Sequence, residues 1–133
     1  MLPLALFFTA VLIAYDALTA AIAKAVGISF DSFLVLAWVL FFLMGVIAGR
    51  KFGWFGLLAV GVAAALEATL GWYVAALIGP GYVPGWTTHM LLLLAVERTL
   101  VSCAIAAAGI FIGRRSSPPS TRGRGRAATN PYV

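Results

Sequence analysis

Long apolar runs separated by short polar punctuation dominate the chain. Four runs stand out, over residues 4–26, 33–49, 54–78 and 89–113. At about 1.5 Å per helical residue, each is long enough to cross or nearly cross a hydrocarbon core ~30 Å thick. The punctuation is of the kind that ends and starts helices. Gly27 to Ser32 is a short turn in which Asp31 or Ser32 is expected to cap the second run. Arg50 and Lys51 close that run, and Arg114 and Arg115 close the fourth. Gly79, Pro80, Gly81, Pro84 and Gly85 form a loop rich in breakers, and Thr87 or Thr88 is expected to cap the run after it. Tyr82 and Trp86, with Trp72 and Tyr73, suit an interfacial aromatic belt. The pattern predicts an all-α membrane fold, a four-helix transmembrane bundle that forms one domain over 1–113.

Composition strengthens this reading. Of 133 residues, 63% are hydrophobic, against about half in a soluble domain. Ala21-Ile22-Ala23 before Lys24 mimics a signal-peptide cleavage site, but there is no basic n-region and Asp16 interrupts the apolar stretch. The first run is therefore read as a span. After Arg115 the composition changes to Ser, Pro, Gly and Arg. The stretch 114–133 is expected to be a disordered basic tail.

Charge sets the expected orientation. The formal net charge is +5, and five of the nine basic residues follow Gly113. Arg50, Lys51, Arg114, Arg115, Arg122, Arg124 and Arg126 would share one side, with Lys24 alone on the other. The excess of Lys and Arg marks the cytoplasmic side. Both termini are accordingly expected in the cytoplasm, with the spans in the plasma (inner) membrane. The tail is placed to contact anionic lipid; nucleic acid is not an expected partner.

The chain reads as a duplication. Asp16 within Tyr15 to Thr19 matches Glu67 within Leu66 to Leu70. Gly45 to Lys51 matches Gly109 to Arg115. The two halves would be tandem hairpins in parallel orientation, related by a twofold axis along the membrane normal. Small residues allow close helix approach in lipid. Candidate packing positions are Gly45 and Gly49, Gly109 and Gly113, a stripe of Gly61, Ala64, Ala68, Gly71 and Ala75, and a stripe of Ala10, Ala14, Ala17 and Ala21. They serve either packing within the chain or assembly with a second copy or a partner membrane protein.

Four ionisable residues fall inside the spans: Asp16, Glu67, Glu97 and Arg98. By helical rise, Asp16 and Glu67 lie about 18–20 Å from the cytoplasmic ends of their runs, and the other two about 12–14 Å from the opposite side. They form one expected layer, and an intramembrane charge costs ~2.5–3.5 kcal/mol on insertion scales. Arg98 is expected to reach Asp16 or Glu67, with Thr9, Thr19, Thr69, Thr99 and Ser102 adding hydrogen bonds. The remaining acid would be held protonated or matched by a bound cation. Two functions fit. One is a structural or assembly subunit whose charged layer fixes helix register. The other is a proton- or cation-coupled transporter or channel. One His and one Cys give no metal-ligand spacing, no cofactor is implied, and no nucleophile–base pair marks an enzyme.

Gly45-Val46-Ile47-Ala48-Gly49-Arg50, followed by the glycine-rich run from Gly53, resembles small uncharacterised prokaryotic four-span proteins with a Gly-x-x-Ala-Gly-Arg step. That resemblance implies the fold and no activity. Chain length and an intramembrane acid are also similar to small multidrug transporters, whose single essential Glu lies in the first span. Here Asp16 stands in that span, three further charges lie elsewhere, and the charge bias opposes an antiparallel dimer.

Overall fold

The computed structural model describes residues 1–79 and 87–116. Among them the chain is helical throughout, with no strand. The elements are α1 (Leu2–Val26), α2 (Leu34–Phe52), α3 (Gly56–Leu66), α4 (Trp72–Ile78) and α5 (Thr88–Arg115). One turn of 3-10 helix, Phe30–Phe33, leads into α2, and a second, Gly53–Phe55, joins α2 to α3. A single π-helical turn, Glu67–Gly71, joins α3 to α4. Three helical stretches are long and apolar enough to cross a membrane: Leu2–Val26, Phe30–Ile78 and Thr88–Arg115.

Local chemistry explains the ends. Gly27 takes a left-handed φ of 73° and returns its N–H to Ala23, closing α1; glycine adopts this conformation without a Cβ penalty. Gly53, at φ 58° and ψ −139°, interrupts the 49-residue stretch. The chain reverses there, so that α3 packs back on α2, with Gly56 against the Ala48 carbonyl. Thr87 accepts from the Met90 N–H at 3.3 Å and caps α5 as expected. At the start of α2 the expected caps are not used. Ser29 accepts from the Asp31 N–H at 3.3 Å, and the Asp31 carboxylate is committed elsewhere. Both α2 and α5 run past their expected ends, to Phe52 and Arg115, so the basic pairs occupy the last helical turns. Cations are favoured there by the helix dipole, and Arg114 and Arg115 also lie over the Trp54 and Phe111 rings. The expected tail beyond Ser116, and Tyr82 and Trp86 of the expected aromatic belt, lie outside the described residues.

Contacts fix relative direction. Asp16 meets Gly71, and the Lys24 Nζ donates to the Ile78 carbonyl at 2.8 Å. These partners are 55 and 54 positions apart, so α1 runs parallel to the stretch from α3 to α4. The α2–α5 contact is also parallel and unusually close. A Cβ on Gly45 would strike the Ala106 backbone, and one on Gly49 would lie 2.6 Å from the Ile110 carbonyl oxygen. A Cβ on Gly109 would strike the Phe42 carbonyl, and one on Gly113 the Val46 carbonyl.

The core gathers Phe8 and Leu12 of α1, Phe41, Met44 and Ala48 of α2, Val60, Ala63 and Ala64 of α3, and Ala106 of α5. Large side chains from α1 and α2 sit against small ones from α3, the alternation that fills space without voids. The outward surface is apolar, with Leu6, Phe7, Leu18, Val35, Leu92 and Leu100 more than half exposed. Along α3, the π turn and α4 the expected small-residue stripe is largely buried at Ala64, Ala68, Gly71 and Ala75, with Gly61 half-buried. On α1 it is not: Ala10, Ala14 and Ala21 are exposed and Ala17 half-buried. The buried stripe runs instead through Ala5, Phe8, Thr9, Leu12, Asp16, Thr19, Ala20 and Ala23. The acid decides this, because the helix face that carries Asp16 must turn toward protein.

Candidate functional site

Asp16 sits about three-fifths of the way along α1, on its buried stripe. It is 4% exposed, and among the described residues its Oδ2 has no hydrogen-bond partner. An unmet carboxylate oxygen in an apolar surround is costly. The chain makes room for it on the parallel helix. The position a Cβ would take on Gly71 is filled by the Asp16 carboxyl group, and the same position lies 3.4 Å from the Glu67 Cγ. Asp16 and Glu67 therefore meet at one point, the π-helical turn. A π turn adds one residue to the helix and is often found at functional sites.

Beside this point lies a cavity of about 210 Å³. Its polar wall is Tyr15, Asp16, Asp31, Glu67, Glu97, Arg98 and Ser102. Its apolar wall is half aromatic: Phe30, Phe33, Trp38 and Phe41, with Leu34, Ala37, Leu94 and Val101. The four sequence-expected charges, Asp16, Glu67, Glu97 and Arg98, thus line one space. So does Asp31. The chain contains four acidic residues in all, and every one of them lines this cavity. Arg98 is the single Lys or Arg among the lining residues.

The pairing within it differs from expectation. Arg98 does not reach Asp16 or Glu67 with an ion pair; its Nη2 lies 3.4 Å from the Asp31 Oδ1. Register explains this. Gly45 meets Ala106 and Gly109 meets Phe42, displacements of 61 and 67 positions whose mean is 64. That displacement puts Leu34, the first residue of α2, level with Arg98. α5 starts at Thr88, so it projects about 15 Å beyond α2 by helical rise. Arg98 is deep when counted from its own helix start, yet level with the end of the turn that carries Asp31. A long guanidinium side chain bends toward the wetter end.

The threonines expected to serve the acids also do something else. Thr9, Thr19, Thr69 and Thr99 each donate to a carbonyl four residues back in their own helix, at 2.8–2.9 Å. In a helix without water this is the nearest acceptor. Tyr15, not singled out by sequence, donates its hydroxyl to the Phe33 carbonyl at 2.5 Å and ties α1 to the turn before α2. Asp31 had a legible signal, since it is the one remaining acid in the chain. The aromatic wall had none, because Phe and Trp are common in any apolar run.

A second, wider groove of about 690 Å³ is lined by Trp54, Phe55, Leu57, Leu58, Gly61, Val62, Ala65 and Cys103. It carries no ionisable group besides the free thiol. Gly61 and Cys103 face each other there, 3.6 Å from the position of a Gly61 Cβ to Sγ. His89 is exposed near the start of α5.

The helical architecture and apolar surface are compatible with a membrane protein. No protein-family model, no curated protein and no solved structure matches the chain.

Proposed function

We propose that this chain is a small multi-pass protein of the plasma (inner) membrane whose acid-lined cavity is a proton- or cation-coupled transport or channel site. The observation that carries this reading is the gathering of all four acids of the chain on one cavity with one arginine. A layer that served only helix register would be expected to close into direct ion pairs, because an unpaired buried charge destabilises. Here, among the described residues, the Asp16 Oδ2 has no partner, and a space lies beside it. In this role Asp16 and Glu67 are the protonatable or cation-binding groups, Glu97 and Asp31 add negative charge, and Arg98 is the internal counter-charge.

The reading includes four spans, built as two tandem hairpins with both termini cytoplasmic. The reversal at Gly53 and the parallel helix pairs support it. So does a reciprocity in the α2–α5 contact. Gly45 meets Ala106 while Gly109 meets Phe42; Gly49 meets Ile110 while Gly113 meets Val46. Gly45 and Gly109 are 64 positions apart, as are Phe42 and Ala106, Gly49 and Gly113, and Val46 and Ile110. Contacts that return under exchange of the two partners are the mark of a twofold relation. The seven-to-one bias of Lys and Arg supports the orientation. A cytoplasmic reporter fused after Val133 should be active; activity of an outer-face reporter there instead would overturn the orientation.

A second reading is favoured by specific contacts. The Arg98–Asp31 pair and the Lys24–Ile78 hydrogen bond each join separate elements at one end of the molecule. They suit a structural or assembly subunit, alone or with a partner membrane protein. Proton flux in proteoliposomes separates the two readings. Transport predicts flux under an imposed gradient that Glu67→Gln abolishes while the protein stays folded. If the wild type carries no flux and Glu67→Gln merely lowers stability, the structural reading replaces it.

A further inference from the structure

We propose that the cavity takes a monovalent organic cation, an ammonium carrying an apolar body, rather than a metal ion. This rests on the transport reading above and names the class of substrate for that same site. Three independent features of the cavity point to it.

The first is charge. Four carboxylates face one guanidinium, and the guanidinium is paired to Asp31 alone. Asp16, 4% exposed and with Oδ2 unpartnered, still lacks a donor or a cation. The second is the wall. Tyr15, Phe30, Phe33, Trp38 and Phe41 line the space that the acids line. Aromatic faces attract cations, most strongly where water is excluded, and they also accept an apolar body. The third is spacing. Among the described residues, no three His, Cys, Asp or Glu side chains come together closely enough to hold a metal ion. Calcium asks for six to eight oxygens at one point, and magnesium for a rigid octahedron. Asp16 and Glu67 come together as a pair with no third such ligand, and a pair of acids on an aromatic-walled cavity suits a cation with volume and diffuse charge. The cavity, at about 210 Å³, is several times the ~30 Å³ that one water occupies in the liquid, so it has room for a small organic molecule.

The test uses the full chain in phosphatidylcholine nanodiscs and benzyltrimethylammonium as probe, with binding followed by calorimetry. Neopentylbenzene, the same shape without the charge, is the control. The ammonium should bind saturably, one per chain, and the neutral isostere at least about tenfold more weakly. Asp16→Asn should weaken ammonium binding by about tenfold or more. Trp38→Leu should weaken it by about threefold to thirtyfold, the range of a cation over an aromatic face. Trp38 and Glu97 are exposed enough that Trp38→Leu and Glu97→Gln leave the core intact, so they carry the test if Asp16→Asn does not fold. No saturable binding, equal binding of the neutral isostere, or displacement of the ammonium by a lower concentration of calcium or sodium would overturn the proposal. Unchanged affinity across all three variants would do the same. Proton flux without ammonium binding ends this inference and leaves the transport reading standing. Ammonium binding without any flux does the reverse, ending the transport reading and keeping the site.

Discussion

The molecule has two ends that solve opposite problems. At one end, α2 and α5 approach so closely that backbone meets backbone, with Gly45, Gly49, Gly109 and Gly113 each facing a main-chain atom of the other helix. At the other, the same two helices stand far enough apart to leave a cavity lined by Trp38 and Phe41 on α2 and by Leu94, Arg98 and Val101 on α5. One pair of helices thus forms both a tight seam and an open mouth. The seam is apolar and small. The mouth is acidic and aromatic. In lipid, where nothing apolar drives helices together, dispersion at a close contact is the main source of association. The seam therefore holds the helices at a separation that the charged end, left to itself, would not maintain.

The largest effect of any single substitution is therefore expected at the seam. Gly109→Val places a branched side chain where even a Cβ strikes the Phe42 carbonyl. The backbone opposite cannot rotate away as a side chain does. The expected loss is about 3 kcal/mol or more of unfolding free energy, at or above the upper end for overpacking, read by reversible unfolding in bicelles. By reciprocity, Gly45→Val should cost a similar amount, because it meets Ala106 in the equivalent way. Loss of less than about 1 kcal/mol in both would remove the seam from its structural role.

Gly71 sits where the two regimes meet, and a smaller effect is expected there. Gly71→Ala puts a methyl group into the place of the Asp16 carboxyl, at an expected cost of about 1–3 kcal/mol. The cost should largely vanish in the Asp16→Ala background, because the carboxyl is what the methyl meets. A double-mutant cycle reads this directly, and a coupling within about 0.3 kcal/mol of zero would show that the two positions do not share space. Asp16→Asn alone keeps the shape and removes the ionisable group. Its expected effect on stability lies within about 1 kcal/mol of zero, or is stabilising, since a buried carboxyl without a partner favours no fold. A loss of about 3 kcal/mol instead would mean that the carboxylate is a structural partner, and the site reading would fall.

Much of this contrast can be read from sequence, and where it cannot the reason is register. The glycine steps at 45–49 and 109–113 are visible because in lipid small residues at four-residue spacing have few other uses. Asp16, Glu67, Glu97 and Arg98 are visible because charges inside apolar runs are rare. Which acid faces Arg98 is not visible. Depth counted along each helix from its own start assumes that the helices start level, and α5 projects about three turns past α2. The α1 stripe is misread for a related reason. Ala10, Ala14, Ala17 and Ala21 have the right spacing, but spacing alone does not choose between faces, and the face carrying Asp16 wins. The π turn at Glu67–Gly71 leaves no composition signal, since one extra residue in a helix is set by what it packs against, here the Asp16 carboxyl.

The smallest expected effect is at the mouth and is the sharpest test of the division. Arg98 and Asp31 form an ion pair at 3.4 Å, but the Asp31 side chain is 74% exposed. Such a pair contributes little, because Asp31 keeps most of its solvation and both side chains lose freedom on pairing. Arg98→Gln is therefore expected to change unfolding free energy by about 0.5 kcal/mol or less. Its consequence should fall on the cavity instead. With the guanidinium gone, four carboxylates share a space without an internal counter-charge, and a cation from solution must supply it. The stability of Arg98→Gln should then rise with the concentration of a bound cation more steeply than that of wild type, as mass action requires of a ligand that binds the folded state more tightly. Thermal unfolding across a titration of benzyltrimethylammonium measures this slope. Equal slopes in the two proteins would mean that Arg98 does not stand in for a cation, and that the mouth is held by the same packing as the seam.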